Sequence, residues 1–342
     1  MQERWSHRLG RVALKRILSA QVRAERKPIP KNDRGQQLDP ATFALLQNLR
    51  RAEAPRSIGR MRADYDEQGP MLDLAPTPLH HVEDHHLGKG QARFHVRVYT
   101  PEKSKLRAPA ILFFHGGGFV IGSLQSHDGA LRKLAAMTRA VVVAVDYRLV
   151  PEHRTPAAYQ DALLAYGWLH AQADKLHIDP KRIVLSGDSA GGNLTLSTAI
   201  AIRDQGLPAP CGLVPIYPMT DATGAHPSRV ALGEGFFLTK DLLDWFEERF
   251  VHDPALSLDA RVSVLQADLK GLPPTHIITA GFDPLRDEGE AMVKRMREAG
   301  VKVTHRSEDG LIHGFFTFAG VLPEAERAHG RIADAIAQML YH

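Results

Sequence analysis

Two periodicities divide this chain. Up to about residue 60 the apolar positions recur at helical spacing, with Leu9, Val12, Ala13 and Ile17 along one stripe and a second run through Phe43, Leu45, Leu46 and Leu49. That spacing predicts a helical arm. From about residue 78 the texture changes to short β-branched and aromatic runs separated by helical stretches. Strands are expected near 78–86, 92–99, 109–114, 140–146, 182–186, 211–216, 274–280 and 301–306, and helices at about 129–138, 157–173, 191–204, 285–299 and 324–340. Segments such as Ile111-Leu112-Phe113-Phe114 and Val141-Val142-Val143-Ala144-Val145 do not alternate; they are apolar on both faces. Strands of that kind belong in a sheet covered on both sides, so the expected fold class is α/β, a mostly parallel eight-stranded sheet with helices on both faces.

One interval breaks the alternation of strand and helix. Between the strand ending near Pro218 and the strand starting near Thr275, the crossover is far longer than one helix requires, and it holds Gly233-Glu234-Gly235-Phe236-Phe237 and a predicted helix from Asp241 to Val251. A long excursion on the carboxyl side of a parallel sheet lies where ligands bind. Residues 1–60 and 218–256 are therefore expected to form a discontinuous helical cap over a core of residues 61–217 and 257–342. The chain shows no internal repeat and no low-complexity tract.

Composition narrows the class. The 342 residues are 44% apolar, typical of a globular protein with a sizeable core, which sets aside disordered and fibrous readings. No run of about 18 uncharged apolar residues is present, so stable membrane insertion is not expected. The lone Cys211 cannot form an internal disulfide, and the N-terminus lacks the roughly 7 to 15 residue apolar region of a secretory signal; a reducing, cytoplasmic location is the expectation. Lys and Arg number 43 against 39 Asp and Glu, a balance of +4, and the pI is about 9.1. The excess is local, because the first 27 residues hold eight basic and two acidic side chains while the other 315 carry 35 and 37. One short basic segment is not a basic face, and no nucleic-acid partner is expected.

The first candidate chemistry surrounds Ser189. Gly187-Asp188-Ser189-Ala190-Gly191-Gly192 directly follows the strand run Arg182-Ile183-Val184-Leu185-Ser186 and directly precedes a helix-forming run. A G-x-S-x-G string is weak alone; its place between strand and helix makes it specific. A serine on so tight a turn projects its hydroxyl, the small neighbours Gly187, Ala190 and Gly191 allow close approach, and the helix N-terminus behind it favours developing negative charge. Upstream, His115-Gly116-Gly117-Gly118-Phe119 follows the strand ending at Phe114. Three successive glycines cost backbone entropy and suit a loop that turns its amides toward a ligand. In acyl transfer such amides, with that of Ala190, would hold the tetrahedral oxyanion. A phosphate-cradling loop is the alternative, but neither a following Lys-Ser/Thr nor a G-x-G-x-x-G spacing is present. His115 itself is assigned to holding the loop in shape.

A serine hydroxyl needs a base and a carboxylate to orient that base. Eighteen histidines make composition uninformative, so position decides. Where a serine occupies such a turn, an acid and then a histidine follow on loops after later strands. Asp283 lies just past the strand 275–280, in Gly281-Phe282-Asp283-Pro284-Leu285-Arg286-Asp287-Glu288-Gly289. Asp before Pro also suits an ordinary helix N-cap, in which case Asp287 or Asp309 would stand in. His313 lies past the strand 301–306 on a loop flanked by apolar groups and Gly314, whereas His305 falls within a strand, His329 within the last helix and His342 at the terminus.

His-Gly-Gly-Gly-Phe (115–119), Gly-Asp-Ser-Ala-Gly-Gly (187–192), Asp-Pro-Leu-Arg-Asp-Glu-Gly (283–289) and Ile-His-Gly-Phe (312–315), in this order and spacing, resemble the bacterial hormone-sensitive-lipase-like (family IV) esterases of the α/β-hydrolase superfamily. Asp146-Tyr147-Arg148-Leu149-Val150-Pro151-Glu152-His153 and Glu234-Gly235-Phe236-Phe237-Leu238-Thr239 match as well, and the resemblance spans roughly residues 40 to 342. It implies a capped α/β-hydrolase that hydrolyses carboxylic esters of short to medium acyl chains without a cofactor. It further implies Ser189 as nucleophile, His313 as base, Asp283 as orienting acid, and the amides of Gly117, Gly118 and Ala190 as oxyanion hole. Homodimerisation is common in the resembled family.

Weaker signals remain. Alternate residues of His80-His81-Val82-Glu83-Asp84-His85-His86 put His81, Glu83 and His85 on one strand face, a pattern open to a metal; an edge hairpin guarded by charges is the preferred reading, and no metal is expected. The basic N-terminal helix could lie on an anionic membrane, but packing its apolar stripe onto the cap is preferred. Phe119, Phe236, Phe237, Trp245, Phe246 and Phe315 offer an apolar wall, with Phe119, Phe237 and Asp188 as candidate substrate contacts. The expected partner is a small-molecule ester. An amidase, lactone hydrolase or deacetylase would use the same groups, and a non-catalytic binding protein resembling the plant gibberellin receptors is the further alternative, disfavoured by the presence of His313.

Overall fold

Strands apolar on both faces require cover on both sides, and alternate residues of the central strands go to opposite cores. The computed structural model describes residues 3–49, 57–102 and 107–342. Its strands are β1 (His81–Leu87), β2 (Phe94–Thr100), β3 (Ala108–Phe114), β4 (Val141–Asp146), β5 (Ile178–Asp188), β6 (Gly212–Ile216), β7 (Thr275–Phe282) and β8 (Val303–Ile312). They form one sheet in the order β1-β2-β4-β3-β5-β6-β7-β8. The β1–β2 and β2–β4 pairs are antiparallel and the remaining pairs parallel. Ala110, Leu112 and Phe114 of β3 enter one core with Val141, Val143 and Val145 of β4. Ile111 and Phe113 enter the other with Val142 and Ala144.

The helices are α1 (Trp5–Ala24), α2 (Pro40–Asn48), α3 (Ile58–Leu72), α4 (Asp128–Thr138), α5 (Ala157–Ala171), α6 (Ala190–Asp204), α7 (Ser228–Ala231), α8 (Lys240–Phe250), α9 (Arg286–Glu298) and α10 (Pro323–Tyr341). Residues of α5, α6, α8 and α9 pack in the first core, and residues of α4 and α10, with Leu18 of α1 and Leu45 of α2, in the second. The long crossover between β6 and β7 carries α7 and α8. It is tied down by Arg229 of α7, which reaches Glu247 of α8 at 2.6 and 2.9 Å, the Asp221 carbonyl at 2.8 Å and Glu288 of α9 at 3.3 Å. Burial pushes the Glu288 carboxyl up to about 7 against the pull of Arg229 and of the amides of Thr220 and Asp221.

Two parts of the arm differ from expectation. The helix α3 lies between the expected arm and the first strand, where no element is predicted. Gly59, Gly69 and Pro70 obscure its periodicity, but Ser57 accepts the Arg60 amide as N-cap, and Ile58, Met61 and Tyr65 pack on the core. The stripe of α1 is turned the other way. Trp5, Leu9, Val12 and Ile17 are exposed, while Arg11 and Leu18 are buried. The cause is the contact with α3: Gly10 leaves room for Met71, whose sulfur would sit 3.0 Å from an added Cβ, and Arg11 then reaches the Pro70 carbonyl at 2.5 Å and Glu3 at 2.6 Å. That pair of contacts fixes which side of α1 faces inward, and the apolar stripe is left outside.

Candidate active site

The strand order reverses at β3, with β4 on one side and β5 on the other, and a crevice opens beyond the carboxyl ends at such a point. Phe114 at the end of β3 is in register with Gly187 near the end of β5, so the loop from His115 and the turn at Ser189 begin side by side. Ser189 has φ 55° and ψ −116°, a conformation that costs a non-glycine residue energy and that the surroundings must impose. Glycines permit it: a Cβ on Gly187 would lie 2.4 Å from the Gly191 carbonyl oxygen, and one on Gly191 would lie 1.9 Å from that of Phe114. The helix α6 begins at Ala190, so its first amides have no intrahelical partner and face the serine.

Asp283 follows the end of β7 and His313 the end of β8. Ser189 Oγ lies 2.9 Å from His313 Nε2, and His313 Nδ1 lies 2.7 Å from Asp283 Oδ2. Asp283 is fully buried, and its Oδ1 accepts the Leu285 amide at 2.8 Å. With one oxygen held by backbone, the other faces Nδ1, which sets the tautomer with hydrogen on Nδ1 and leaves the Nε2 lone pair for the serine. The stand-in acids are otherwise engaged. Asp287 accepts from Arg286, Arg34 and the Ser228 amide, and Asp309 is exposed on β8. His305 bonds the Thr279 hydroxyl and His329 the Ala130 carbonyl. The arm braces the segments that carry Asp283 and His313: Asn32 donates to the Gly281 carbonyl at 2.9 Å, Asp33 pairs with Arg286, and the Asp39 amide donates to the Gly310 carbonyl at 2.9 Å.

The glycine loop is held from beneath. The Gly116 amide donates to Asp188 Oδ1 at 2.8 Å, and His127 Nε2 contacts the same oxygen at 3.1 Å. The Tyr217 hydroxyl donates to Oδ2 at 3.3 Å. Both oxygens of Asp188 are thus engaged by protein donors, and this carboxylate joins the glycine loop to the serine turn. Burial alone would raise its pKa, but His127, His115 and the Gly116 amide hold it below the usual carboxylate range. Burial would lower His127, yet Asp188 lifts it above its ordinary value. His115 stacks on Tyr147 with ring centroids 4.3 Å apart, its Nδ1 bonds the Gly116 carbonyl, and burial drives its pKa down to about 4, so it shapes the loop as a neutral ring. Gly117 and Gly118, with φ of 120° and 59°, and Ala190 lie on the wall of the same cavity as Ser189 and His313.

Asp188→Asn is expected to leave KM nearly unchanged and to lower kcat about tenfold to a hundredfold, because the glycine amides lose their registration with the serine. The pair also carries stability. That contribution is full between the unfolded values of Asp188, 3.8, and His127, 6.5; it fades below that window as pH falls through the depressed Asp188 value, and above it as pH rises through the raised His127 value. The melting-temperature gap between wild type and Asp188→Asn should therefore be widest inside the window. A gap independent of pH, or an unchanged kcat, would contradict the assignment.

The cavity has a volume of about 1590 Å³ and runs from Ser189 and His313 between the loops of the long crossover and the helices α2, α3 and α8. Phe119 and Phe237 both line it. Phe119 is itself buried, stacked on Phe250 with ring centroids 3.9 Å apart. Phe315 is in the core against Tyr217. Sequence reasoning missed His127, Tyr217 and the lining residues of α3. Tyr217, at φ 34°, packs its ring 4.7 Å from that of His313. Among the described residues no group of three or more His, Cys, Asp or Glu is arranged to hold a metal ion, and no helix is long and apolar enough to cross a membrane.

Comparison with known proteins agrees with this fold. The profile of the alpha/beta hydrolase fold family matches residues 111–317. A carboxylesterase, NlhH, of Mycobacterium tuberculosis is 38% identical over 250 residues, covering 72% of this chain and 78% of its own. An ethyl acetate hydrolase of Pseudomonas putida has the same identity over the same shares. The solved structure of a hyperthermophilic esterase from Pyrobaculum calidifontis superposes with a TM-score of 0.83 at 39% identity, covering 88% of this chain and 98% of that one. The chain belongs to the α/β-hydrolase fold family, among its hormone-sensitive-lipase-like carboxylic ester hydrolases.

Proposed function

We propose that this chain is a serine carboxylesterase acting on small esters of short to medium acyl chains through an acyl-enzyme. The observation that carries the reading is the continuous contact from Ser189 Oγ to His313 Nε2 and from His313 Nδ1 to Asp283, set beside the amides of Gly117, Gly118 and Ala190 on one cavity wall. In this reading His313 takes the Ser189 proton as the oxygen attacks the ester carbonyl carbon, and the three amides receive the negative charge that develops on the carbonyl oxygen. Collapse expels the alcohol, which takes the proton from His313. Water then loses a proton to His313 and attacks the acyl carbon, and a second collapse releases the carboxylic acid and restores the Ser189 hydroxyl. Asp283 stabilises the imidazolium in both halves without taking its proton.

Residues 1–60 and 218–256, of which 1–2 and 50–56 lie outside the described residues, serve here as the cap over a core of 61–217 and 257–342, and α3, which spans the boundary between them, lines the cavity. An acyl chain has apolar wall to follow along Met61, Leu242 and Phe246. The base, the nucleophile and the oxyanion donors are all protein groups, so the mechanism calls for no cofactor.

The test is hydrolysis of p-nitrophenyl esters of increasing acyl length by the wild-type chain, with and without a chelator. Turnover of short esters that falls as the chain lengthens and ignores the chelator is expected. A correctly folded protein with no turnover across the series would overturn the reading, and activity restricted to long, insoluble chains would overturn the acyl-length part.

A further inference from the structure

Among the described residues, nothing covers the outward side of α1. Trp5, Leu9 and Val12 are 74%, 49% and 44% exposed, and their i, i+4, i+7 spacing places them on one face. The opposite face is occupied, since Arg11, Leu14 and Leu18 pack inward against α2, α3 and the core. The helix contains no Asp or Glu, and it carries Arg8, Arg11, Lys15, Arg16 and Arg23. Among the described residues its one ion pair is Arg11 with Glu3, on the inward side. At about 100° per residue, Arg16 and Arg23 extend the line of Trp5 and Val12, while Arg8 and Lys15 flank it. The exposed face is therefore a short apolar strip ending in, and edged by, cations that pair with no acid among the described residues.

We propose that this face is a docking surface for an anionic lipid bilayer, on which α1 lies in the plane of the headgroups. Trp5 is suited to the interface because its ring is apolar and its N–H is polar; Leu9 and Val12 enter the acyl boundary, and the arginines extend to lipid phosphates. The alternatives fit less well. A second copy docking through the same strip would bring two segments of strong positive charge together, since the first 27 residues carry eight basic side chains and two acids. A nucleic acid would leave the apolar centre of the strip unused. Insertion across the bilayer is not at issue, because α1 is not apolar enough to span it. The inference does not depend on the ester-hydrolase reading, for α1 contributes no residue to the cavity wall.

The experiment is co-sedimentation of the full chain with vesicles of phosphatidylcholine containing about one-third phosphatidylglycerol, compared with pure phosphatidylcholine. The wild type should partition onto the anionic vesicles at low salt, and at least about tenfold more weakly onto neutral ones, since each basic residue near the surface is worth roughly fivefold. Raised salt should release it. Both Trp5→Ser with Leu9→Ser and Arg8→Glu with Arg16→Glu should weaken partitioning by about tenfold or more, and both should keep wild-type turnover of a soluble ester, because these side chains are exposed and none lines the cavity. No partitioning of the wild type, or partitioning that Trp5→Ser with Leu9→Ser leaves intact, would overturn the proposal. So would a wild-type dimer that this double variant converts to monomer without any vesicle binding, which would assign the strip to a second copy.

Discussion

Replacing Ser189 by alanine is expected to lower kcat for ester hydrolysis by about 10⁶-fold, and replacing His313 by alanine should cost nearly as much. The two losses do not add. Ser189 Oγ and His313 Nε2 share one proton across 2.9 Å, so removing either group removes the same step, and Ser189→Ala with His313→Ala should be no slower than the worse single variant. The turnover that remains should come from substrate held against the glycine amides, on the order of 10³ to 10⁴ above water. Steady-state kinetics on a soluble p-nitrophenyl ester, with melting curves to show that the variants stay folded, measures all three. Independent, additive losses would mean that the serine and the histidine act in separate steps, and a Ser189→Ala variant within about tenfold of wild type would remove Ser189 from the reaction.

What the sequence revealed of the site was what is local in the chain. The turn at Ser189 could be read because its requirements are met by near neighbours: Gly187 and Gly191 are glycines since a Cβ on either would strike backbone oxygen, and those constraints lie within a few residues of the serine or at the adjoining strand end. Asp283 and His313 could be read because each follows the end of a strand whose apolar run is unambiguous. The strands themselves were legible for the same reason, as Ile111 to Phe114 show by serving two cores at once. The support of the site was not legible. His127 lies 61 positions from Asp188, on the turn that begins α4, and nothing in the residues around it differs from an ordinary helix start. Tyr217 acquires its position from a left-handed backbone that no glycine announces.

The orientation of α1 was hidden for a related reason. Its apolar stripe is real, but burial is decided by the partner, and the partner α3 had no clear signal because Gly59, Gly69 and Pro70 interrupt its pattern. Once α3 is in place, Gly10 and Arg11 make the closest approach, and an arginine that finds both a carbonyl and a carboxylate can be buried where a leucine was expected. Periodicity identifies a face; only the neighbouring element determines whether that face is covered. The same dependence explains Phe315, which follows His313 directly yet turns into the core against Tyr217 rather than toward the cavity.

Asp283→Asn should lower kcat by about 10⁴-fold while leaving substrate affinity nearly unchanged, and the reason is the direction of one hydrogen bond. Asp283 is held at two points, by the Leu285 amide on Oδ1 and by His313 Nδ1 on Oδ2. The backbone amide can only donate, so an asparagine must keep its carbonyl oxygen toward Leu285 and turn its NH₂ toward the imidazole. Nδ1 then becomes an acceptor, the ring hydrogen moves to Nε2, and the atom facing Ser189 is a donor with no lone pair to take its proton. Size, burial and the rest of the cavity are unaltered, which confines the loss to kcat. Asp283→Ala loses the orienting contact without enforcing the wrong tautomer and should be no worse than Asp283→Asn, an order that simple loss of charge does not require. Asp287→Asn is the matched control: its carboxylate serves Arg286, Arg34 and the Ser228 amide, so kcat should stay within about tenfold of wild type. A large loss on Asp287→Asn with little on Asp283→Asn would transfer the role of acid to Asp287 and leave the buried carboxylate beside His313 as a helix cap.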